Sequence, residues 1–209
     1  IVLDIDSGGG QVDGTDGFSE TIYNLRDELP IVGVITALAA SAAYWFASSC
    51  SEIVISRTGE AGSIGVYTMH VDWSEYEKRV GIESTVIYAG KYKAAHERSL
   101  TDEPREFYQG QIDELYRLFV DTVARNRKRS TEYVLWEMAD ARIFIGERAV
   151  AAGLADRIGT LDQVIEELAD SSPPQSQFRF GGSASDQGNQ HANEEQQYGQ
   201  WIEQWIEHG

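Results

Sequence analysis

Ser41 sits in a stretch, Pro30 to Ser51, that contains no charged residue. Its neighbours Ala39, Ala40, Ala42 and Ala43 are small enough to let a polypeptide approach. A serine hydroxyl is a weak nucleophile unless a base takes its proton, and two bases are available. His70 falls in a strand-like run in which Asp72 projects to the same side by period-two alternation, so Ser41, His70 and Asp72 form one candidate set. Lys93, in YAGKYKAA, is the other. It works as a base only if desolvation lowers its affinity for protons, with Lys91 as a solvated partner. Residue types leave both open, beside the plainer readings of a packed histidine and a surface lysine. The run DSGGG (6–10) follows a strand and makes a turn free of side chains, either a plain turn or a row of N–H groups for an oxyanion. No Lys-Ser/Thr follows it, so it is not a phosphate loop. Ser41 itself lies where a strand gives way to a helix. It can cap that helix, or it can react beside the N–H of Ala42.

These residues need elements to position them. Hydrophobic periodicity predicts strands at 1–5, 31–36, 52–56, 64–73 and 83–90. It predicts helices at 17–29, from near Ala40, at 74–81 closed by Gly81, from after TDEP (101–104) to about Arg127, at 130–138, at 146–152, and over TLDQVIEELA. Along the longest helix, Phe107, Ile112, Leu115, Leu118 and Phe119 mark the apolar side. Alternating strands and helices with short connections imply an α/β fold. The uncharged run is nearly long enough to cross a membrane. However, it opens with β-branched IVGVIT, carries five serines and threonines, and has no flanking basic cluster. Strand, turn and buried helix is the expected parse, with no membrane span.

At 209 residues the chain fits one domain, 1–169, followed by a tail, 170–209. SSPPQSQ and GGSASDQGNQ are linker-like and expected to be disordered. Trp201 and Trp205, with Ile202 and Ile206, repeat at a spacing of four. That gathers them on one face of a short helix, which either packs back on the domain or docks on a partner or another copy. A net charge of −17 repels phosphate backbones and excludes nucleic acid as a partner. The single cysteine, Cys50, allows no internal disulfide, suggests no metal cluster, and is expected to be a buried thiol. The chain opens midway through a strand-like run without an initiator Met, so residues are expected before Ile1.

LDIDSGGGQV, AASAAYW, TGEAGSIGV, AGKYKAA and ARIFIGERAVAAGLADRIGTLDQVI occur in the order and approximate spacing of the signal peptide peptidase A family of serine proteases. The resemblance covers residues 1 to 169, and within the family the chain is most similar to tailed-phage prohead proteases, which process capsid and scaffold proteins. The resemblance implies Ser41 as nucleophile, Lys93 as general base and Ser63 as the hydroxyl that positions the lysine. It implies an oxyanion hole from Gly10, with Gly9 beside it, and the Ala42 N–H, and it implies no metal and no organic cofactor. Two departures stand out: Gly8 replaces the family's usual Pro, and Ala42-Ala43 replace its usual Gly-Gly after the nucleophile. The fold implied is the Clp protease and crotonase spiral of β–β–α units. Members assemble with serine and lysine drawn from neighbouring copies, so a homo-oligomer is expected. The implied setting is the host cytoplasm or the prohead interior, or a membrane surface if a preceding segment carries an anchor; the tail is a candidate contact for capsid or scaffold proteins. Alternatives are a signal-peptide-degrading peptidase of the same family, a Clp-like Ser41/His70/Asp72 hydrolase, and a non-catalytic assembly component.

Overall fold

The computed structural model describes residues 1–97 and 99–171, with the backbone alone at Ser171. The expected polar linker and Trp/Ile helix lie outside the described residues. Within them, the sheet is organised around β2 (Val32–Ala40). One edge of β2 pairs in parallel with β1 (Val2–Ser7). The other edge is shared: β3 (Glu52–Ile55) lies beside Val32–Ile35 and β4 (Glu60–Gly62) beside Leu38–Ala40, both parallel. β3 then leads to parallel β6 (Arg157–Ile158), and β4 to antiparallel β5 (Ile143–Ile145). The sheet therefore forks at the Ser56–Gly59 break. The chain is of the α/β class, and this curled sheet agrees with the Clp protease and crotonase-like fold.

Val34, Ile35, Ile53, Val54 and Ile55 are wholly buried, as expected of parallel strands covered on both faces. The helices are α1 (Thr15–Leu25), α2 (Ala42–Ala47), α3 (Ser74–Val80), α4 (Asp102–Asn126), the single turn α5 (Thr131–Tyr133) continued as a π-turn at Val134–Met138, α6 (Glu147–Ala151) and α7 (Leu161–Ser171). The short α2 is the most deeply seated. Tyr44 and Trp45 are buried, Trp45 stacks on Phe119 of α4 with centroids 4.4 Å apart, and Tyr44 Oη donates to Leu154 O at 3.0 Å. Behind α2 lies a closed polar network. Ser19 and Ser49 share a 2.6 Å hydrogen bond, and Asn126 Nδ2 donates to Ser48 Oγ and Ser49 Oγ at 3.0 and 2.8 Å. These buried groups satisfy one another and fix α1, α2 and α4 in one arrangement. Arg127 adds a second tie. Its guanidinium forks onto Asp156, which accepts the Ile53 N–H, so the end of α4 is fastened to β3.

Two expected strands, 64–73 and 83–90, are not formed. Past an isolated bridge between Ile64 and Ala139 the chain runs without a sheet partner to α3, and from 82 to 88 it again pairs with nothing in the sheet. Tyr67, Met69, Val71 and Trp73 are exposed, by as much as 88% at Tyr67, and Thr68 and Asp72 between them are exposed too. A strand pattern with one apolar face needs a surface to cover it, and the described residues of one copy offer none. The reverse error occurs at β2. Ala37–Ala40 read as the opening of a helix by propensity, yet they continue the strand, where Ala39 is wholly buried between Ser7 and Ala61. Close strand packing selects small residues there and outweighs their helical preference. Among the described residues, no helix is long and apolar enough to cross a membrane.

Since the Trp45–Phe119 stack seats α2, Phe119→Ala is expected to lower stability by about 3–5 kcal/mol. Urea unfolding followed by tryptophan fluorescence measures it. A loss below about 1 kcal/mol, less than one ordinary core truncation, would mean that α2 is held by other contacts.

Candidate active site

Three parallel strands end side by side, and each delivers one part of the site. β1 runs into the glycine turn, β2 into Ser41 and β4 into Ser63. In register, Ser7 lies opposite Ala39, and Ala40 opposite Gly62. Ser41 and Ser63 are thus the next residues on adjacent strands, at the carboxyl ends where α/β sheets place ligands. Both leave the sheet through the left-handed region, with φ of 55° at Ser41 and 52° at Ser63. The Ser41 N–H donates to Gly62 O at 2.9 Å, and the Ser63 N–H to Arg142 O at 2.7 Å.

Ser41 occupies the N-cap position of α2 at φ 55°, ψ −127°, and its side chain makes no capping hydrogen bond. The capping role is therefore not taken up. A non-glycine residue at such angles costs about 1–3 kcal/mol, and strain of this kind clusters at functional sites. The same turn leaves Ala42 as the first residue of α2, where backbone N–H groups have no intrahelical acceptor. Gly9 closes the turn from the other side. At φ +95°, a Cβ on it would lie 2.6 Å from Ala40 O, 2.8 Å from Ser41 Cβ and 2.9 Å from Ala42 N. Gly10 has open space around it.

Ser41, Ser63 and Gly8–Gly10 line a single cavity of about 1090 Å³. Sequence reasoning missed its far wall. Ile112 and Tyr116 come from α4, Val66 from the segment after Ser63, and Asp140 and Ala141 from a turn with positive φ. Burial raises the Tyr116 phenol. The signal for the α4 wall was the apolar stripe of the long helix, which reads equally well as ordinary core. Arg142 holds the turn by donating to Ala139 O and Trp136 O at 2.9 and 2.6 Å.

Neither candidate base lines this cavity. Lys93 is exposed, in a turn just before a 3₁₀ segment at Ala95–Glu97. Lys91 is paired with Glu103 on α4, which raises its affinity for protons. His70 stacks on His96 with centroids 6.2 Å apart, and Asp72 accepts hydrogen bonds from Ser99 Oγ and the Ser74 N–H, which hold its carboxyl near 2. The structure thus brings together Ser41, Ser63, Gly9, Gly10 and Ala42, and leaves Lys93 and the His70–Asp72 pair elsewhere in the same copy. Among the described residues, no group of three or more His, Cys, Asp or Glu side chains is arranged to hold a metal ion. Burial raises the Cys50 thiol to about 12.

The glycines of the turn should differ sharply under substitution. Gly9→Ala is expected to destabilise the fold by about 1–3 kcal/mol through overpacking and an unfavourable φ, and Gly10→Ala to leave it within about 0.5 kcal/mol of wild type. Chemical denaturation of the two variants checks this. Equal effects would mean that the turn moves freely away from Ser41.

Residues 24–173 match the model of peptidase family S49. The chain is 34% identical over 171 residues to the head-tail preconnector protein GP5 of Enterobacteria phage P21, covering 81% of this chain and 34% of that protein. It is 29% identical over 184 residues to the capsid assembly protease C of Escherichia phage lambda, covering 87% and 42%. It is 30% identical over 167 residues to the chloroplastic serine protease SPPA of Arabidopsis thaliana, covering 78% and 24%. The chain therefore spans less than half the length of each of these three relatives. With the matched segment running from the last two residues of α1 to the end of α7 and enclosing Ser41 and Ser63, the chain belongs to peptidase family S49.

Proposed function

We propose that this protein is a serine endopeptidase in which Ser41 attacks the peptide carbonyl and Lys93 is the base. The observation that carries the reading is the strained, uncapped Ser41 standing beside Ser63 and the glycine turn in one cavity. Neutral Lys93 takes the Ser41 proton as Oγ bonds to the carbonyl carbon. The oxyanion lies against the N–H groups of Gly10 and Ala42, and the proton passes to the leaving amine as the peptide bond breaks. Water then attacks the acyl-enzyme, and its proton returns through Lys93 to Ser41. Ser63 holds the lysine amine in place. The substrates are proposed to be capsid or scaffold proteins of a phage head, in keeping with the head-tail preconnector and capsid assembly protease among the relatives.

The working form is a homo-oligomer. Lys93 is exposed and outside the cavity of its own Ser41, while the residues leading toward it carry the uncovered row Tyr67, Met69, Val71 and Trp73. A second copy that covers this row and takes Lys93 into its own cavity meets both needs. It also supplies the desolvation that a lysine base requires.

Cleavage of an unfolded protein substrate, read by mass spectrometry, is expected to be lost in Ser41→Ala and to fall about a hundred- to ten-thousandfold in Lys93→Ala. Cleavage that survives Lys93→Ala but not Ser41→Ala would move the base to His70. Mixing the two inactive variants tests where the dyad forms. Regained activity is expected if serine and lysine come from different copies. Specific activity unchanged on dilution to a demonstrated monomer would overturn the oligomer.

A further inference from the structure

A second cavity, of about 460 Å³, shares no lining residue with the Ser41 cavity. It lies where α2 has ended, against Cys50 and Ser51, and is closed by the last turn of α4 and the loop after α6. Four of the chain's seventeen basic residues line it, namely Arg26, Arg127, Lys128 and Arg129, against two carboxylates, Asp27 and Asp156. In a chain of net charge −17 this gathering runs against the general composition.

The four cations are not equivalent. Arg127 is fully engaged, forked onto Asp156 and donating through Nε to Gly153 O at 3.0 Å. Arg26 lies on the Tyr23 ring, 3.9 Å from its centroid, with one long hydrogen bond to Ser49 O. Arg129 lies over Tyr133 at 4.9 Å. Among the described residues, neither of these arginines nor Lys128 is within salt-bridge distance of a carboxylate. The C-terminus of α4 supplies roughly half a negative charge. Together with the two carboxylates it leaves the cavity with a surplus of between roughly one and two positive charges. The Cys50 thiol remains neutral in its wall and offers nothing to offset this.

We propose that this cavity binds a compound carrying more than one phosphate group, with Arg26, Lys128 and Arg129 contacting its oxygens and Arg127 bracing the wall. The volume falls within the range of small-molecule sites. Guanidinium groups present paired N–H donors that match phosphate oxygens. Linked phosphates place several charged oxygens within reach of all three cations that lack a carboxylate partner, whereas one carboxylate presents only two oxygens. Inorganic polyphosphate and the phosphates of a nucleotide share this chemistry.

The test is calorimetric titration of the 209-residue chain with tripolyphosphate at low ionic strength. Saturable binding to one site is expected, weakening as salt screens the cavity. Lys128 stands at φ 54°, where asparagine is well tolerated, so Lys128→Asn removes the charge without new backbone strain. Arg129→Met keeps the aliphatic stem. Each is expected to weaken binding about tenfold, the pair to abolish it, and Lys78→Ala on α3 to change nothing. Thermal unfolding without ligand verifies that the variants fold, and Arg26→Met replaces any that does not. ATP binding tighter than tripolyphosphate would assign the site to a nucleotide, and equal binding to phosphate alone. No saturable binding at millimolar tripolyphosphate, binding indifferent to these variants, or citrate binding equally well would overturn the proposal.

Discussion

The site rests on a single backbone constraint: Ser41 must turn out of β2 and into α2 within one residue. Its φ of 55° and ψ of −127° persist only because the surroundings permit no alternative. Upstream, β2 is fixed by parallel pairing on both edges. At the residue itself, the N–H is held by Gly62 O and the carbonyl accepts the Trp45 N–H at 3.0 Å. Downstream, α2 cannot rotate because Trp45 and Tyr44 are buried and Ser48 and Ser49 belong to the closed polar network with Asn126. A six-residue helix has little stability of its own. Here it is rigid because tertiary packing fixes nearly every residue in it.

That constraint explains the composition around it. Two further chains of backbone must come close to the turn, and both do so by lacking side chains. Gly9 abuts Ser41 and Ala42, and a Cβ on Gly62 would lie 2.4 Å from Arg142 O, the carbonyl that holds the Ser63 N–H. Ala39, Ala40 and Ala61 keep the strands between them narrow. The uncharged run noted at the outset is therefore a packing requirement before it is a chemical one. Any charge or long side chain near it would pry apart the strand ends that align the glycine turn, Ser41 and Ser63.

The sequence was most legible where local rules and tertiary demands coincide. β3 follows its periodicity closely, and the Gly-rich turn, Ser41 and Ser63 meet in one cavity, whereas of the five residues expected on the apolar side of α4 only Phe119 is buried and Phe107 and Leu118 are exposed. It was least legible where they conflict. Ala37–Ala40 favour a helix by propensity and form a strand because a neighbouring backbone needs small residues. β4 and β5 are three residues each, too short to leave a periodic signal. The walls contributed by Ile112 and Tyr116 were invisible because an apolar stripe on a helix does not announce whether it faces a core or a cavity. The segment 64–73 is instructive in another way. Its alternation predicts a strand, but a strand also needs a partner to pair with, and the described residues of one copy supply none.

The charge of the chain limits how that partner could be supplied. Copies carrying −17 each repel one another, so an oligomer cannot be held by general electrostatic attraction. It needs apolar area, concentrated where charge is sparse. The row Tyr67, Met69, Val71 and Trp73 is the densest exposed apolar segment among the described residues, although Asp72 stands within it. Asp72 is also held in its charged form by hydrogen bonds from Ser99 and Ser74. An interface built on Tyr67, Met69, Val71 and Trp73 has to accommodate Asp72 as a charge, and the hydrogen bonds from Ser99 and Ser74 already satisfy that carboxylate within its own copy.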